Sequence, residues 1–207
     1  MFLSNLFQKI KWDILAKSNH IYYIDSNTKN KNEKKFRNNG LLDFKRLVLG
    51  DDILNFDFNK VWEIGCGSGR MTEFFAEHFK EVIATDISPK MIKLLKKRLE
   101  RFKNISTNKD DLFDIDFVFS YMVFHHFATK KMVIDNFKEI YRVLKNGGIA
   151  KIQVRGKPIV SKIKWIKWYY GVSFKKDEIE NIVKKIGFKV LDTKGENTKC
   201  LWLSLKK

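Results

Sequence analysis

Apolar residues recur at helical spacing from the start of the chain: Phe2, Leu3, Leu6, Phe7, Ile10, Ile14 and Leu15 predict a helix to about Lys17. The polar stretch Asp25-Ser26-Asn27-Thr28-Lys29-Asn30-Lys31-Asn32 reads as a loop or a helix start. A second helical pattern runs from Phe36 to about Leu49 and ends near Gly50. Residues 1–58 thus read as a helical cap packed on a main domain over residues 59–207.

The rhythm then changes. Val61-Trp62-Glu63-Ile64 is a short strand that runs straight into glycines, and Met71, Phe74, Phe75 and Phe79 mark an amphipathic helix. Glu81 to Asp86 is the next strand. Ser88 is placed to cap a helix with Pro89 at its first position and Met91, Ile92, Leu95 and Leu99 on one face. A weak strand at Asn104–Thr107 and a stronger one from Asp116 to Ser120 follow. Thr129 caps a helix striped by Val133, Phe137, Ile140, Tyr141 and Leu144, which Gly147 and Gly148 are expected to stop. A strand from Ile149 to Val154, a helix from Lys175 to Ile186, and strands near Phe188–Leu191 and Leu201–Leu205 close the chain. Strands alternating with helices predict a parallel α/β sheet covered on both faces.

Composition adjusts this picture little. The 207 residues suit one domain, 44% of them are hydrophobic, and 18 Phe predict a core rich in rings. Only Pro89 and Pro158 are prolines, and no Pro/Gly/Ser-rich linker separates two domains. Cys66 and Cys200 build neither a disulfide framework nor a metal-ligand spacing. No run approaches about 18 apolar residues, so no transmembrane segment is expected, and the start of the chain makes a poor signal peptide. A reducing, cytoplasmic setting is the expectation. The net charge of +17 has two readings: affinity for nucleic acid or anionic membrane, or a compositional bias that enriches Lys, Asn, Ile and Phe together. Lysines scattered along the whole chain favour the second.

The chemistry concentrates on Gly65-x-Gly67-x-Gly69. Glycines let the main chain turn sharply and approach a ligand with no Cβ in the way, and the helix start beyond offers free N–H groups. Asp86 ends the second strand, where an acid holds ribose hydroxyls. A nicotinamide enzyme needs G-x-G-x-x-G, yet Arg70 stands where its third glycine belongs. Spacing alone still admits a dinucleotide.

Four segments in the expected order carry a resemblance. Val61 to Gly69 resembles motif I of class I S-adenosylmethionine-dependent methyltransferases, and Ala84-Thr85-Asp86-Ile87-Ser88-Pro89-Lys90-Met91 resembles their second motif. Phe117 to Phe127, with Ser120 and His125-His126, is similar to their fourth strand and its exit. Tyr141-Arg142-Val143-Leu144-Lys145-Asn146-Gly147-Gly148 is similar to their lead into strand five. The resemblance covers about residues 60–155. It implies a Rossmann-like three-layer sandwich, with N-terminal helices and a mostly parallel seven-stranded sheet whose last strand is antiparallel. It also implies S-adenosyl-L-methionine as cofactor. On that basis Gly65, Gly67 and Gly69 cradle the methionine part, Glu63 anchors its ammonium side, Asp86 takes the ribose diol and Ile87 packs on the adenine. Asp110 is favoured for the adenine amino group, with Asp111 and Asn108 left open. Ser120 is expected under the sulfonium. Cys66 is expected to pack, since methyl transfer needs no enzyme nucleophile.

A base is needed only for a hydroxyl or a protonated amine acceptor. His126, then His125, are the candidates; the other reading is that either ring fills structure or positions substrate. Arg155 ends strand five and suits an acidic substrate or an ion pair. Tyr23, with His20 and Tyr22, lies where N-terminal elements cover the cofactor in this fold. Ile163-Lys164-Trp165-Ile166-Lys167-Trp168-Tyr169-Tyr170 interleaves aromatics with lysines and suits nucleic-acid stacking, a membrane interface, or a lid helix.

Motifs of amino-methylating DNA enzymes, cytosine-C5 enzymes and protein arginine enzymes are missing from their places. A small-molecule, sugar or lipid acceptor is therefore the leading class. An RNA methyltransferase comes second, supported by the charge. Peripheral contact with a membrane and a non-catalytic, cofactor-binding partner protein stay open.

Overall fold

The front of the chain is helical, as its periodicity predicts, and runs further than the pattern indicates. The computed structural model describes residues 2–28, 30–158 and 171–207. Its first helix, α1, spans Phe2–Ile24 with one non-helical step at Asn19. Asn32 then starts α2 (Glu33–Phe44) by accepting a hydrogen bond from the Lys35 N–H at 2.9 Å. A π-helical turn, Lys45–Leu49, extends α2 to its stop at Gly50. The aromatic–lysine segment 163–170 lies outside the described residues.

The chain divides into two compact units, residues 1–54 with 58–111, and residues 55–57 with 112–207. In the first, β1 (Lys60–Ile64), α3 (Thr72–His78), β2 (Glu81–Thr85), α4 (Pro89–Arg98) and β3 (Ile105–Ser106) follow α1 and α2. β2 pairs in parallel with both β1 and β3. Val61 to Ile64 are all buried, as an unbroken strand covered on both faces requires. Ser88 caps α4 from its expected place, accepting from the Met91 N–H. Rings fill the space between α2 and α3, where Phe44 meets Phe75 edge-on at 5.2 Å and Phe74 at 6.0 Å. Burying each such ring contributes about 2–3 kcal/mol. Cys66, Ala84, Leu95 and Leu99 form a smaller apolar cluster that includes one residue of the glycine turn.

The second unit holds β4 (Ile115–Ser120), α5 (Lys130–Val143), β5 (Leu144–Val154), α6 (Lys176–Ile186), β6 (Lys189–Lys194) and β7 (Leu201–Lys206). β4 and β5 are parallel, while β7 runs antiparallel to both β5 and β6. Seven strands, mostly parallel with the last reversed, are the complement of a Rossmann-like fold. Thr129 caps α5 as expected, accepting from the Met132 N–H.

One boundary differs from the sequence reading. α5 stops at Val143, before the two glycines, because Leu144 is already extended and opens β5. The register slips between the pairs Ile115–Leu144 and Phe117–Ile149, so residues 145–148 are taken up as a bulge. Gly147 bends it with φ +79°, and a Cβ on Gly148 would stand 2.9 Å from the Ile115 carbonyl oxygen. The glycines shape a strand irregularity rather than a helix end. No helix among the described residues is long and apolar enough to cross a membrane.

Candidate functional site

In the first unit, β1 delivers the chain into the glycine turn. Gly65, Gly67 and Gly69 all take positive φ, at 73°, 55° and 91°, which a side chain would oppose. The Gly65 and Cys66 N–H groups both donate to the Thr85 carbonyl at the end of β2, at 2.7 and 3.0 Å. The Gly67 N–H donates to Asp86 Oδ2 at 3.0 Å, and the Ser88 N–H to Asp86 Oδ1 at 2.8 Å. Asp86 is thereby locked to the turn, while each carboxylate oxygen keeps a lone pair for a further donor. Burial pushes its carboxyl up to about 6, against the pull of the Ser88 and Gly67 N–H groups, so at neutral pH it is mostly ionised. Ile87 beside it is 41% exposed and offers a bare apolar face.

Glu63 is buried at the end of β1, where the Thr72 hydroxyl donates to its Oε2 at 2.5 Å. Burial pushes this carboxyl up to about 8, with Thr72 and Arg70 opposing, so it holds its proton at neutral pH. Burial also raises the Cys66 thiol well above its ordinary range, which suits a packing role. Arg70 forms a 2.6 Å ion pair with Asp43. Arg98 holds the far side of the turn by donating to the Gly69 carbonyl at 2.9 Å.

Three residues of α1 reach this site. His20 Nδ1 and Ser68 Oγ are 2.9 Å apart. The Ile24 side chain fills the space above Gly67, where a Cβ would lie 2.7 Å from Ile24 Cδ1. Ser88 Oγ donates to Asp13 Oδ1 at 2.5 Å. Tyr23 is half-buried and meets the Tyr22 ring edge-on at 5.3 Å. After β3, a 3-10 turn spans Lys109–Asp111. Its Asp111 carboxylate accepts from Ser106 Oγ at 2.5 Å, and Asn108 Oδ1 accepts from the Asp110 N–H at 3.1 Å. The Asp110 side chain is exposed.

In the second unit Ser120 is fully buried at the C-terminal end of β4. Two residues on, Met122 takes φ +62°, and its N–H donates to Gln153 Oε1 at 3.0 Å. A 3-10 turn, Phe124–His126, then buries both histidines. His125 Nδ1 lies 3.2 Å from the same Gln153 oxygen, and His125 Nε2 lies 2.8 Å from His126 Nε2. Burial and the nearby Arg155 push His125 down to about 4, so the ring is neutral at physiological pH. Arg155 is itself buried just past β5, and its carbonyl accepts from the Phe174 N–H at 2.9 Å. Gly171 packs against the histidine turn so closely that a Cβ would stand 2.0 Å from the His125 carbonyl oxygen.

The structure thus gathers Glu63, Gly65, Gly67, Gly69, Asp86 and Ile87 around one turn, with His20 added. Separately it pairs His125 with His126. Sequence reasoning missed Asp13, Ile24 and Gln153. Gln153 had a signal: an amide in a strand of buried residues must find buried partners. Asp13 and Ile24 had none, since each acts across a long stretch of chain.

Residues 62–152 match the family described as "Methyltransferase domain". Over 108 residues the chain is 33% identical to an uncharacterised methyltransferase-like protein of Schizosaccharomyces pombe, covering 48% of this chain and 40% of that protein. It is 35% identical over 85 residues to ribosomal RNA small subunit methyltransferase A of Streptococcus gordonii, covering 41% and 29%. The match thus spans less than half the length of either relative. Among solved structures, the magnesium protoporphyrin IX methyltransferase of Synechocystis with bound SAH superposes with a TM-score of 0.69 at 15% identity, over 99% of both chains. Over residues 62–152 the chain is thus similar to a methyltransferase domain, and it shares the fold of the Synechocystis methyltransferase.

Proposed function

We propose that the chain is a cytoplasmic S-adenosyl-L-methionine-dependent methyltransferase that acts on a small-molecule, sugar or lipid acceptor by in-line displacement. The observation that carries the reading is the junction of the glycine turn with Asp86. A turn of three positive-φ glycines keeps the main chain bare, and an ionised carboxylate tied to it by two N–H groups has acceptor capacity left for hydroxyl donors. Those are the needs of an amino-acid tail joined to a ribose diol, and the exposed face of Ile87 suits an adenine ring. Asp110, with its carboxylate exposed, is the residue assigned to the adenine amino group.

Glu63 is assigned to the ligand's ammonium. That group must displace the Glu63 proton, because the free carboxyl is neutral at pH 7. Bound S-adenosyl-L-methionine supplies an electrophilic methyl group, so the protein's remaining work is alignment and, for a hydroxyl or ammonium acceptor, removal of one proton. His126, paired to a neutral His125, is assigned that proton. Ser120 is assigned to the sulfonium end, and Arg155 and Tyr23 to the acceptor.

Calorimetric titration of wild type and Asp86→Ala with S-adenosyl-L-methionine tests the cofactor assignment. The variant is expected to bind at least tenfold more weakly, the loss of two charge-assisted hydrogen bonds. Equal affinity would sink the ribose contact. A second reading, methyl transfer to RNA, is supported by the net charge of +17 and the similarity to a ribosomal RNA methyltransferase over 85 residues.

A further inference from the structure

We infer that Gln153 is a positioning residue that sets the tautomers of the His125–His126 pair and leaves the pair's proton-accepting lone pair on His126 Nδ1. The inference rests on the proposed function only for the use made of that lone pair; the tautomers follow from the hydrogen-bond geometry.

The amide of Gln153 is buried in β5. Its Nε2 donates to the Val154 carbonyl at 2.7 Å and to the Lys199 carbonyl at 3.1 Å. Its Oε1 accepts from the Met122 N–H at 3.0 Å. Three backbone groups whose roles cannot change therefore fix the amide. Rotating it by half a turn would set its oxygen against two carbonyl oxygens and its NH2 against an N–H. The oxygen facing His125 Nδ1 is consequently an acceptor, and Nδ1 must carry the hydrogen.

His125 is neutral at physiological pH, because its burial and the Arg155 guanidinium both oppose protonation. A neutral imidazole with its hydrogen on Nδ1 has a lone pair on Nε2. The atom 2.8 Å away, His126 Nε2, must then donate, which leaves the second nitrogen of a neutral His126, Nδ1, as the lone-pair site. When His126 takes a proton there, the positive charge leans through Nε2–H on His125 and, through His125 Nδ1–H, on the Gln153 oxygen. Gln153 so plays the orienting part that a carboxylate plays behind a catalytic histidine, without adding a charge.

The turn carrying the rings is held in register from two sides. Its own N–H groups close on Val123 and Phe124 carbonyls at 2.9 and 3.1 Å, and the Val172 N–H donates to the Phe127 carbonyl at 3.0 Å. Met122 pays for the arrangement with a left-handed backbone, which brings its N–H onto Gln153.

The test is a long-range proton–nitrogen correlation spectrum of the ligand-free, 15N-histidine-labelled protein at pH 7. The expected pattern is the Nδ1–H tautomer for His125 and the Nε2–H tautomer for His126. In Gln153→Met, which keeps the volume and removes the acceptor, the His125 signals should move toward the Nε2–H form. A wild-type His126 in the Nδ1–H form would overturn the inference, even if the variant fails to fold. So would a folded Gln153→Met with unchanged tautomers. Because no ligand is present, the expected spectrum from a protein that transfers no methyl group would sink the proposed function and leave this inference standing.

Discussion

At the residue scale, the two carboxyls of the first unit carry a signed pH dependence. Glu63 lies at about 8 against an ordinary 4.5, and Asp86 at about 6 against 3.8, both raised first by burial. Between its two values each carboxyl holds in the native chain a proton that the unfolded chain has lost, so its contribution falls as pH rises, that of Glu63 until about 8. His125, pushed down to about 4, opposes them only below its ordinary 6.5. Each group sets a slope of at most about 1.4 kcal/mol per pH unit within its window. Denaturant midpoints measured at pH 5 and pH 8 should therefore drop with pH in the wild type. Glu63→Gln, which keeps an oxygen for the Thr72 hydroxyl and loses the titration, should flatten most of that drop. An undiminished slope in the variant would place the titrating group elsewhere. The glycine turn, and the places of Glu63 and Asp86 beside it, were legible in the sequence because such signals are local: a turn, a strand end, an acid. Gln153 was not, because its role depends on Met122, His125, Val154 and Lys199, which no spacing rule connects.

At the element scale, caps were the most readable features. Ser88 and Thr129 each accept from the N–H three residues on, and each opens the helix it was expected to open. What escaped was the reach of α1. Its periodicity faded near Lys17, yet it runs to Ile24, because His20 and Ile24 are satisfied by Ser68 and Gly67 rather than by neighbours in sequence. The glycine pair before Ile149 misled in the other direction: helix stops and strand bulges use the same residue, and only the register with β4 decides between them. The α1 contact can be measured. Gly67→Ala combines a left-handed φ of 55° with a Cβ that intrudes 2.7 Å from Ile24 Cδ1. The backbone part alone costs about 1–2 kcal/mol. Adding Ile24→Ala should recover the steric part and leave the backbone part, so thermal unfolding of the four proteins of the cycle should be non-additive. Strict additivity would mean that Ile24 does not pack on the turn.

At the scale of the whole molecule, the question is what the charge of +17 does. The arginines are largely committed: Arg37, Arg98 and Arg101 converge on Glu73, and Arg70 pairs with Asp43. The excess is thus carried by lysines scattered along the sequence rather than gathered in one run, which makes for a diffuse field. Such a field attracts any polyanion through counterion release and selects none. A small-molecule methyltransferase with this surface should bind single-stranded RNA weakly, with a dissociation constant no tighter than about 1 μM at physiological salt and a steep loss between 50 and 200 mM salt. Fluorescence anisotropy with RNAs of unrelated sequence reads both quantities. One RNA bound far more tightly than the rest, with an affinity that survives 200 mM salt, would move the acceptor from small molecules to RNA. It would do so without disturbing the proposed cofactor assignment, since the roles proposed for Asp86 and the glycine turn are the same for either acceptor.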